Sequence, residues 1–257
     1  MKNKLVFITG AAGGIGYEIA KEFALAGATI VLSDSNEILL FEAVENLLNM
    51  QLDVSGVICD MASEAEINET INTVINKYGR IDILINNAGI QYVSLIEDLP
   101  VEKFELLIKV MLVAPFVTTK LVFPKMKKQN YGRIINMSSI NGIVGFAGKA
   151  AYNSAKHGVI GLTKVTALEG AGYNITANAI CPGYVDTLLV QNQLKELAKA
   201  RGIPEEKVLK EIILPMVPQQ RLLTTEEVAK YALYLVSDHA RGITGQALVI
   251  DGGYTAQ

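Results

Sequence analysis

Four glycines fall within the eight residues Thr9-Gly10-Ala11-Ala12-Gly13-Gly14-Ile15-Gly16, and their flanks restrict the fold severely. Upstream, Leu5-Val6-Phe7-Ile8 is a short apolar run of the kind that forms a buried strand. Downstream, a helical pattern begins at Tyr17, with Ile19, Ala20, Phe23 and Ala24 as its apolar stripe. Strand, glycine-rich turn and helix in that order open a βαβ unit. The glycines permit a tight turn and a close approach of backbone to a pyrophosphate, and the helix N-terminus offers unpaired N–H groups to its charge. Gly10, Gly14, Ile15 and Gly16 are therefore candidate contacts to a dinucleotide.

The same alternation continues along the chain. Strand patterns are expected at 28–33, 54–59, 81–85, 133–137, 175–181 and 246–250. Helical patterns lie between them, up to about 50 after Asp34, behind a capping box at Ser63-Glu64-Ala65-Glu66, over 101–128 with a kink at Pro115, and through Tyr152 to about 171. A last helix is capped by Thr224-Thr225-Glu226-Glu227. Repeated βα units imply one Rossmann-type doubly wound parallel sheet with helices on both faces, an α/β domain spanning 1–257. A charged apolar repeat at 188–214, broken at Gly202 and Pro204, reads as a helical lid within that domain.

A net charge of −3 gives no electrostatic footprint for nucleic acid. Cys59 and Cys181 lie far apart in apolar strand-like runs, which predicts buried free thiols and a reducing compartment. The chain enters a strand within five residues, and no signal peptide and no apolar run of membrane-spanning length are expected. These readings predict a cytoplasmic protein with no membrane partner and no metal site.

The second strand ends at Asp34, about twenty residues past the glycines. A carboxylate there accepts hydrogen bonds from the adenosine ribose hydroxyls and repels a 2′-phosphate. No Arg or Lys stands near it, so NAD is expected over NADP. Gly10, Asp34, Asp60, Asn87, Ser139 and Pro182 all fall at strand C-termini, the edge along which open α/β sheets bind ligands.

Tyr152 and Lys156 are four residues apart in a helical segment and share one face, with Ser139 thirteen residues upstream of the tyrosine. A free phenol has a pKa near ~10, and lowering it by about three units takes roughly 4 kcal/mol. A fixed ammonium helped by a cationic nicotinamide ring is a sufficient source. Ser139 then donates to the same substrate oxygen.

The Gly10/Gly14/Gly16 turn, Asn86-Asn87-Ala88-Gly89, and the Ser139/Tyr152/Lys156 set together resemble the short-chain dehydrogenase/reductase family, from Lys4 to Asp251-Gly252-Gly253. The resemblance implies hydride transfer between a nicotinamide and a secondary alcohol carbon, with Tyr152 moving the hydroxyl proton and Lys156 also touching the ribose. It implies that Asp60 and Met61 lie near the adenine and that Asn87, Ala88 and Gly89 line the cofactor. It further implies that Val185, by its backbone, and Thr187, by its hydroxyl, meet the carboxamide. A homotetramer is implied as well. One position departs: the relay asparagine usual in the long central helix is replaced by Met111, which cannot hold a water by strong hydrogen bonds.

Within the family the chain is most similar to members acting on D-3-hydroxybutyrate. The resemblance maps the carboxylate contacts to Gln91, Lys149 and Gln193, and a small carboxylate does require a cation and amide donors. Lys149 precedes Tyr152 by three residues, within reach of a substrate held there. Asn141 stands where that branch has histidine, and Tyr184 and Tyr254 stand where it has tryptophans, so a related 3-hydroxy or 3-oxo acid is also open. Three readings follow: an NAD-dependent dehydrogenase of a free 3-hydroxy acid, a reductase of 3-oxoacyl thioesters or small diketones, and a cofactor-binding protein with little catalysis.

Overall fold

Alternation of side chains along β1 (Leu5–Thr9) sends Val6 and Ile8 into one apolar core and Leu5 and Phe7 into another. The same division holds in β2 (Thr29–Asp34), where Ile30 and Leu32 face the first core and Val31 the second. A strand that buries both faces needs cover on both, which is the condition for a parallel sheet. The computed structural model describes residues 1–256, and all their side chains except those of 196, 197 and 199–201; Gln257 lies outside the described residues. The remaining strands are β3 (Val54–Ile58), β4 (Ile83–Asn86), β5 (Gly132–Met137), β6 (Ile175–Pro182) and β7 (Ala247–Ile250). All seven run parallel in the order β3-β2-β1-β4-β5-β6-β7.

Every residue of β1, β4, β5 and β6 is buried, whereas the edge strands β3 and β7 are partly exposed. The first core is covered by α1 (Gly14–Leu25), α2 (Glu37–Asn49) and α9 (Thr225–Leu235). The second is covered by α3 (Glu64–Tyr78), α4 (Val101–Ile108), α5 (Ala114–Gln129) and α6 (Ala150–Gly170). A separate small apolar cluster gathers α7 (Leu188–Arg201), α8 (Glu205–Lys207) and the turns after them, with Val190, Leu194, Val208 and Ile213 inside.

Several local expectations are corrected. Helix α1 starts at Gly14 rather than Tyr17, so two of the motif glycines belong to its first turn. The box at Ser63 is only half made: Ser63 accepts from the Glu66 N–H, but Glu66 Oε2 takes the Asp60 N–H at 2.9 Å instead of the Ser63 one. The Thr224 box is complete. The central helix widens immediately before Pro115. A π-turn over Lys109–Val113 joins α4 to α5, and the Ala114 N–H bonds the Lys109 carbonyl. Proline has no N–H to offer the carbonyl four residues back and its ring crowds it, and the wider turn relieves both. The three segments therefore form one rod, Val101–Gln129, long and apolar enough to cross a membrane, against the expectation that no such run exists. More than half of its most apolar window is buried against α3, α6 and the sheet, as in the core helix of a globular domain.

A buried polar chain ties this rod to the sheet and to α6. Thr118 Oγ1 donates to Asn86 Oδ1 at 2.7 Å, Asn86 Nδ2 to Asn136 Oδ1 at 2.8 Å, and Asn136 Nδ2 to Thr163 Oγ1 at 2.8 Å. Each member satisfies the next, so removing one strands its neighbour. Asn136→Ala leaves Asn86 Nδ2 without its acceptor and is expected to destabilise the fold by about 2–3 kcal/mol. Urea unfolding measures this, and a midpoint equal to the parent's contradicts it.

Candidate active site

Strand order reverses between β2-β1 and β4-β5, and a crevice opens at the carboxyl ends of strands where this happens. Two glycines make that crevice. Gly10 sits at φ +63°, and a Cβ there would lie 2.7 Å from Ala88 Cα. A Cβ on Gly16 would lie 2.5 Å from Asn87 Nδ2. The Asn87 amide donates to the carbonyls of Thr9 (3.1 Å) and Gly10 (2.8 Å), while Thr9 Oγ1 accepts the N–H groups of Asn87 and Ala88. The loop after β4 is thus stitched to the glycine turn after β1.

Helices α2, α3 and α9 are each closed by a side-chain cap, from Asn36, Ser63 and Thr224. Helix α1 has no side-chain cap and no acidic residue in its first turn. Its N–H groups face the cavity with their partial positive charge unspent, a cradle for phosphate. Asp34, at the end of β2, is held by two backbone donors, Ala12 N–H at 3.1 Å and Asn36 N–H at 3.0 Å. An uncapped helix, a turn with no room for a side chain at Gly10 or Gly16 and a fixed carboxylate fit the pyrophosphate and ribose of a dinucleotide.

A cavity of about 520 Å³ continues from this cradle. Gly10, Gly14, Ile15, Asp34, Asn87 and Gly89 line one end. Ser139, Tyr152 and Lys156 line it further on, with Val185 and Thr187 on the strand-to-helix connection after β6. Gln91, Asn141, Lys149 and Gln193 complete the wall. Asp60, Met61 and Ala88 lie outside this cavity and line a smaller one of about 200 Å³, which shares Gly10, Asp34 and Gly89 with it. Gly16 lines neither; it lies beneath the turn. Leu39 of α2 and Leu188–Val190 also line the large cavity. No sequence signal marked them, because apolar residues on helices read as core.

The Tyr152 ring has two lysines within 6 Å of its centre, Lys156 Nζ at 5.5 Å and Lys149 Nζ at 5.8 Å. Both lysines are buried. Lys156 donates to the Met137 carbonyl at 2.6 Å. Lys149, at the start of α6, makes no salt bridge or side-chain hydrogen bond to any described residue; its ammonium sits 4.8 Å from the Phe146 ring centre. Its backbone is fixed by a bridge to Ser94, whose N–H bonds the Gly148 carbonyl at 2.9 Å. Burial pulls both ammonium pKa values down to about 8.

In Tyr152 burial is the leading influence. Burial pushes its phenol up to about 12, and the Ser139 hydroxyl pulls the other way. Lys156 therefore does not by itself bring the phenol toward neutrality. Met111 is fully buried in the π-turn, its sulfur near Gly89, so the position of the expected relay amide is apolar.

The profile of a family described as Enoyl-(Acyl carrier protein) reductase matches residues 10–255. The chain belongs to the short-chain dehydrogenase/reductase family. It is 57% identical to Uncharacterized oxidoreductase YxjF of Bacillus subtilis (strain 168), over 100% of both chains. It is 44% identical to D-beta-hydroxybutyrate dehydrogenase of Rhizobium meliloti (strain 1021), over 99% of each. The crystal structure of levodione reductase matches with a TM-score of 0.95 at 30% identity, covering 100% of this chain and 99% of that one. The chain is accordingly an oxidoreductase, and short-chain dehydrogenases use nicotinamide cofactors on small molecules.

An ammonium buried without a counter-ion opposes folding, because the unfolded chain solvates it freely. The folded pKa of Lys149, about 8, lies below its ordinary 10.5, so the unfolded state binds more protons between these values. Stability consequently rises with pH across that window. Lys149→Met is expected to stabilise the ligand-free protein by about 1–3 kcal/mol at neutral pH. Thermal or urea unfolding reads this; a clear loss of stability contradicts the uncompensated charge.

Proposed function

We propose that this oxidoreductase is an NAD-dependent dehydrogenase of a short, free 3-hydroxy acid, with D-3-hydroxybutyrate, oxidised to acetoacetate, as the best-fitting substrate. One observation carries the reading: Lys149 is a buried cation with no described partner, near the Tyr152 ring and on the wall of the same cavity. A substrate carboxylate is the counter-ion it lacks. Gln91, Asn141 and Gln193 add amide donors to the wall of that cavity. The name of the Rhizobium meliloti relative, D-beta-hydroxybutyrate dehydrogenase, agrees. Asp34 supports NAD over NADP, since its carboxylate repels a 2′-phosphate.

The roles follow from position. NAD, when bound, supplies the hydride acceptor. Ser139 hydrogen-bonds the reacting oxygen and orients it, and Tyr152 exchanges a proton with that oxygen. A phenol with a pKa near 12 is protonated at rest, the state needed to give its proton to a carbonyl in reduction. Oxidation needs the phenolate, which the Lys156 charge and a cationic ring beside it favour. Asp60, Met61 and Ala88 hold the adenine end, and Val185 and Thr187 the carboxamide. Helices α7 and α8 act as the lid, and ligand binding should slow proteolysis there. We assign the protein to the cytoplasm as a homotetramer; its two cysteines are buried and unpaired, as a reducing compartment requires.

The thioester-reductase reading leaves Lys149 with nothing to neutralise. Steady-state rates with a free 3-hydroxy acid and with its coenzyme A thioester separate the two: the free acid is expected to win by about 100-fold or more in kcat/KM. The reverse preference overturns the proposal. Tyr152→Phe should lower kcat at least about 1,000-fold while NAD still binds, as followed by fluorescence. Retained turnover removes Tyr152 from the proton step, and a parent enzyme that binds NAD without turning over any acid favours the non-catalytic reading, in which Met111 has closed the relay.

The acid binds to the protonated Lys149. Its KM should therefore rise about tenfold per pH unit above about 8, and Lys149→Met should flatten that rise. A KM that is level up to about pH 10 in the parent contradicts the assignment.

A further inference from the structure

The cavity holds a phenol that a simple 3-hydroxy acid leaves unused. Tyr184 follows Pro182-Gly183 at the end of β6, is buried and lines the cavity. Its backbone is locked, since its carbonyl accepts the Leu223 N–H at 2.8 Å. Its ring packs with Val190, Leu194 and Val217, edge-on to Tyr254 at 6.1 Å between centres. The phenol itself makes no hydrogen bond to any described residue. A phenylalanine would fill the same space without a hydroxyl to satisfy.

Donors for both ends of the acid are present without the Tyr184 phenol. A carboxylate presents about four lone-pair sites. The Lys149 ammonium and the amides of Gln91, Asn141 and Gln193 are four donor groups facing the cavity, none with a side-chain partner among the described residues. Ser139 and Tyr152 serve the reacting oxygen. Both ends of an acid such as 3-hydroxybutyrate are then matched, and its methyl end has nothing to give a phenol.

Building on the proposed acid dehydrogenase, we infer that Tyr184 is a specificity-determining residue whose hydroxyl recognises a polar substituent on the tail of the acid. The preferred substrate class is then a short 3-hydroxy acid bearing a hydroxyl or similar hydrogen-bonding group on carbon 4, rather than one ending in an unsubstituted methyl. A site that presents an unbonded hydroxyl to the ligand disfavours the analogue that leaves it unpaired once water is displaced.

The test compares kcat/KM for racemic 3,4-dihydroxybutyrate and racemic 3-hydroxybutyrate with NAD, in the parent and in Tyr184→Phe. The parent should favour the dihydroxy acid by about ten-fold or more, and Tyr184→Phe should bring the ratio close to one. A parent that does not favour the dihydroxy acid overturns the inference without needing the variant. So does a ratio that Tyr184→Phe leaves unchanged, which would place the hydroxyl on the carboxylate or in the fold. In both cases turnover of 3-hydroxybutyrate keeps the acid dehydrogenase itself standing. If the parent turns over neither acid, the dehydrogenase reading falls and this inference with it.

Discussion

The side chain of Asn87 is the tie on which the active edge depends. One amide reaches two carbonyls of the glycine turn, and the Thr9 hydroxyl returns two bonds to the backbone after β4. These bonds join the two strands on either side of the topological switch. They hold Gly10 against Ala88, and they close the space in which a side chain on Gly16 would stand. The first turn of α1 is thereby kept open toward the cavity, and Asp34 is drawn in by the Ala12 N–H of the glycine turn that precedes it. The polar chain through Asn86 and Asn136 begins one residue before this tie and runs to α6, which carries Tyr152 and Lys156. Cradle and reacting residues are therefore parts of one hydrogen-bonded framework.

Against that rigid edge stands an electrostatic expense. Two lysines are buried within 6 Å of one tyrosine ring, and burial lowers both ammonium pKa values. Lys156 is offset by a carbonyl, whereas Lys149 has two aromatic rings nearby and no hydrogen bond or ion pair among the described residues. A fold tolerates such a charge where a ligand completes it. The same physics keeps the Tyr152 phenol protonated in the free protein, so the cavity rests in the state suited to giving a proton.

Much of this was legible in the sequence because it is local. The strand, glycine turn and helix around Gly10 to Gly16, the four-residue spacing of Tyr152 and Lys156, and the buried Cys59 and Cys181 all depend on near neighbours or on period. What was not legible depends on distance or on competition. Glu66 abandons the Ser63 cap for the Asp60 N–H, a choice set by the end of β3. Pro115 is absorbed by a π-turn, which no residue pattern announces. The placing of Asp60 and Met61 in a separate small cavity depends on how the end of β3 lies against the loop after β4, which brings Ala88 and Ile90 beside them. The burial of the phenol also escaped: it raises the Tyr152 pKa in the free protein, and the spacing to Lys156 does not announce it.

The initial rate of NADH formation from NAD and D-3-hydroxybutyrate tests the account most directly, with the L acid and NADP as comparisons. The account predicts turnover of the D acid with NAD, and a rate with NADP lower by about a hundredfold because Asp34 repels the added phosphate. NAD binding without NADH formation from either acid, or equal rates with NADP, would contradict it.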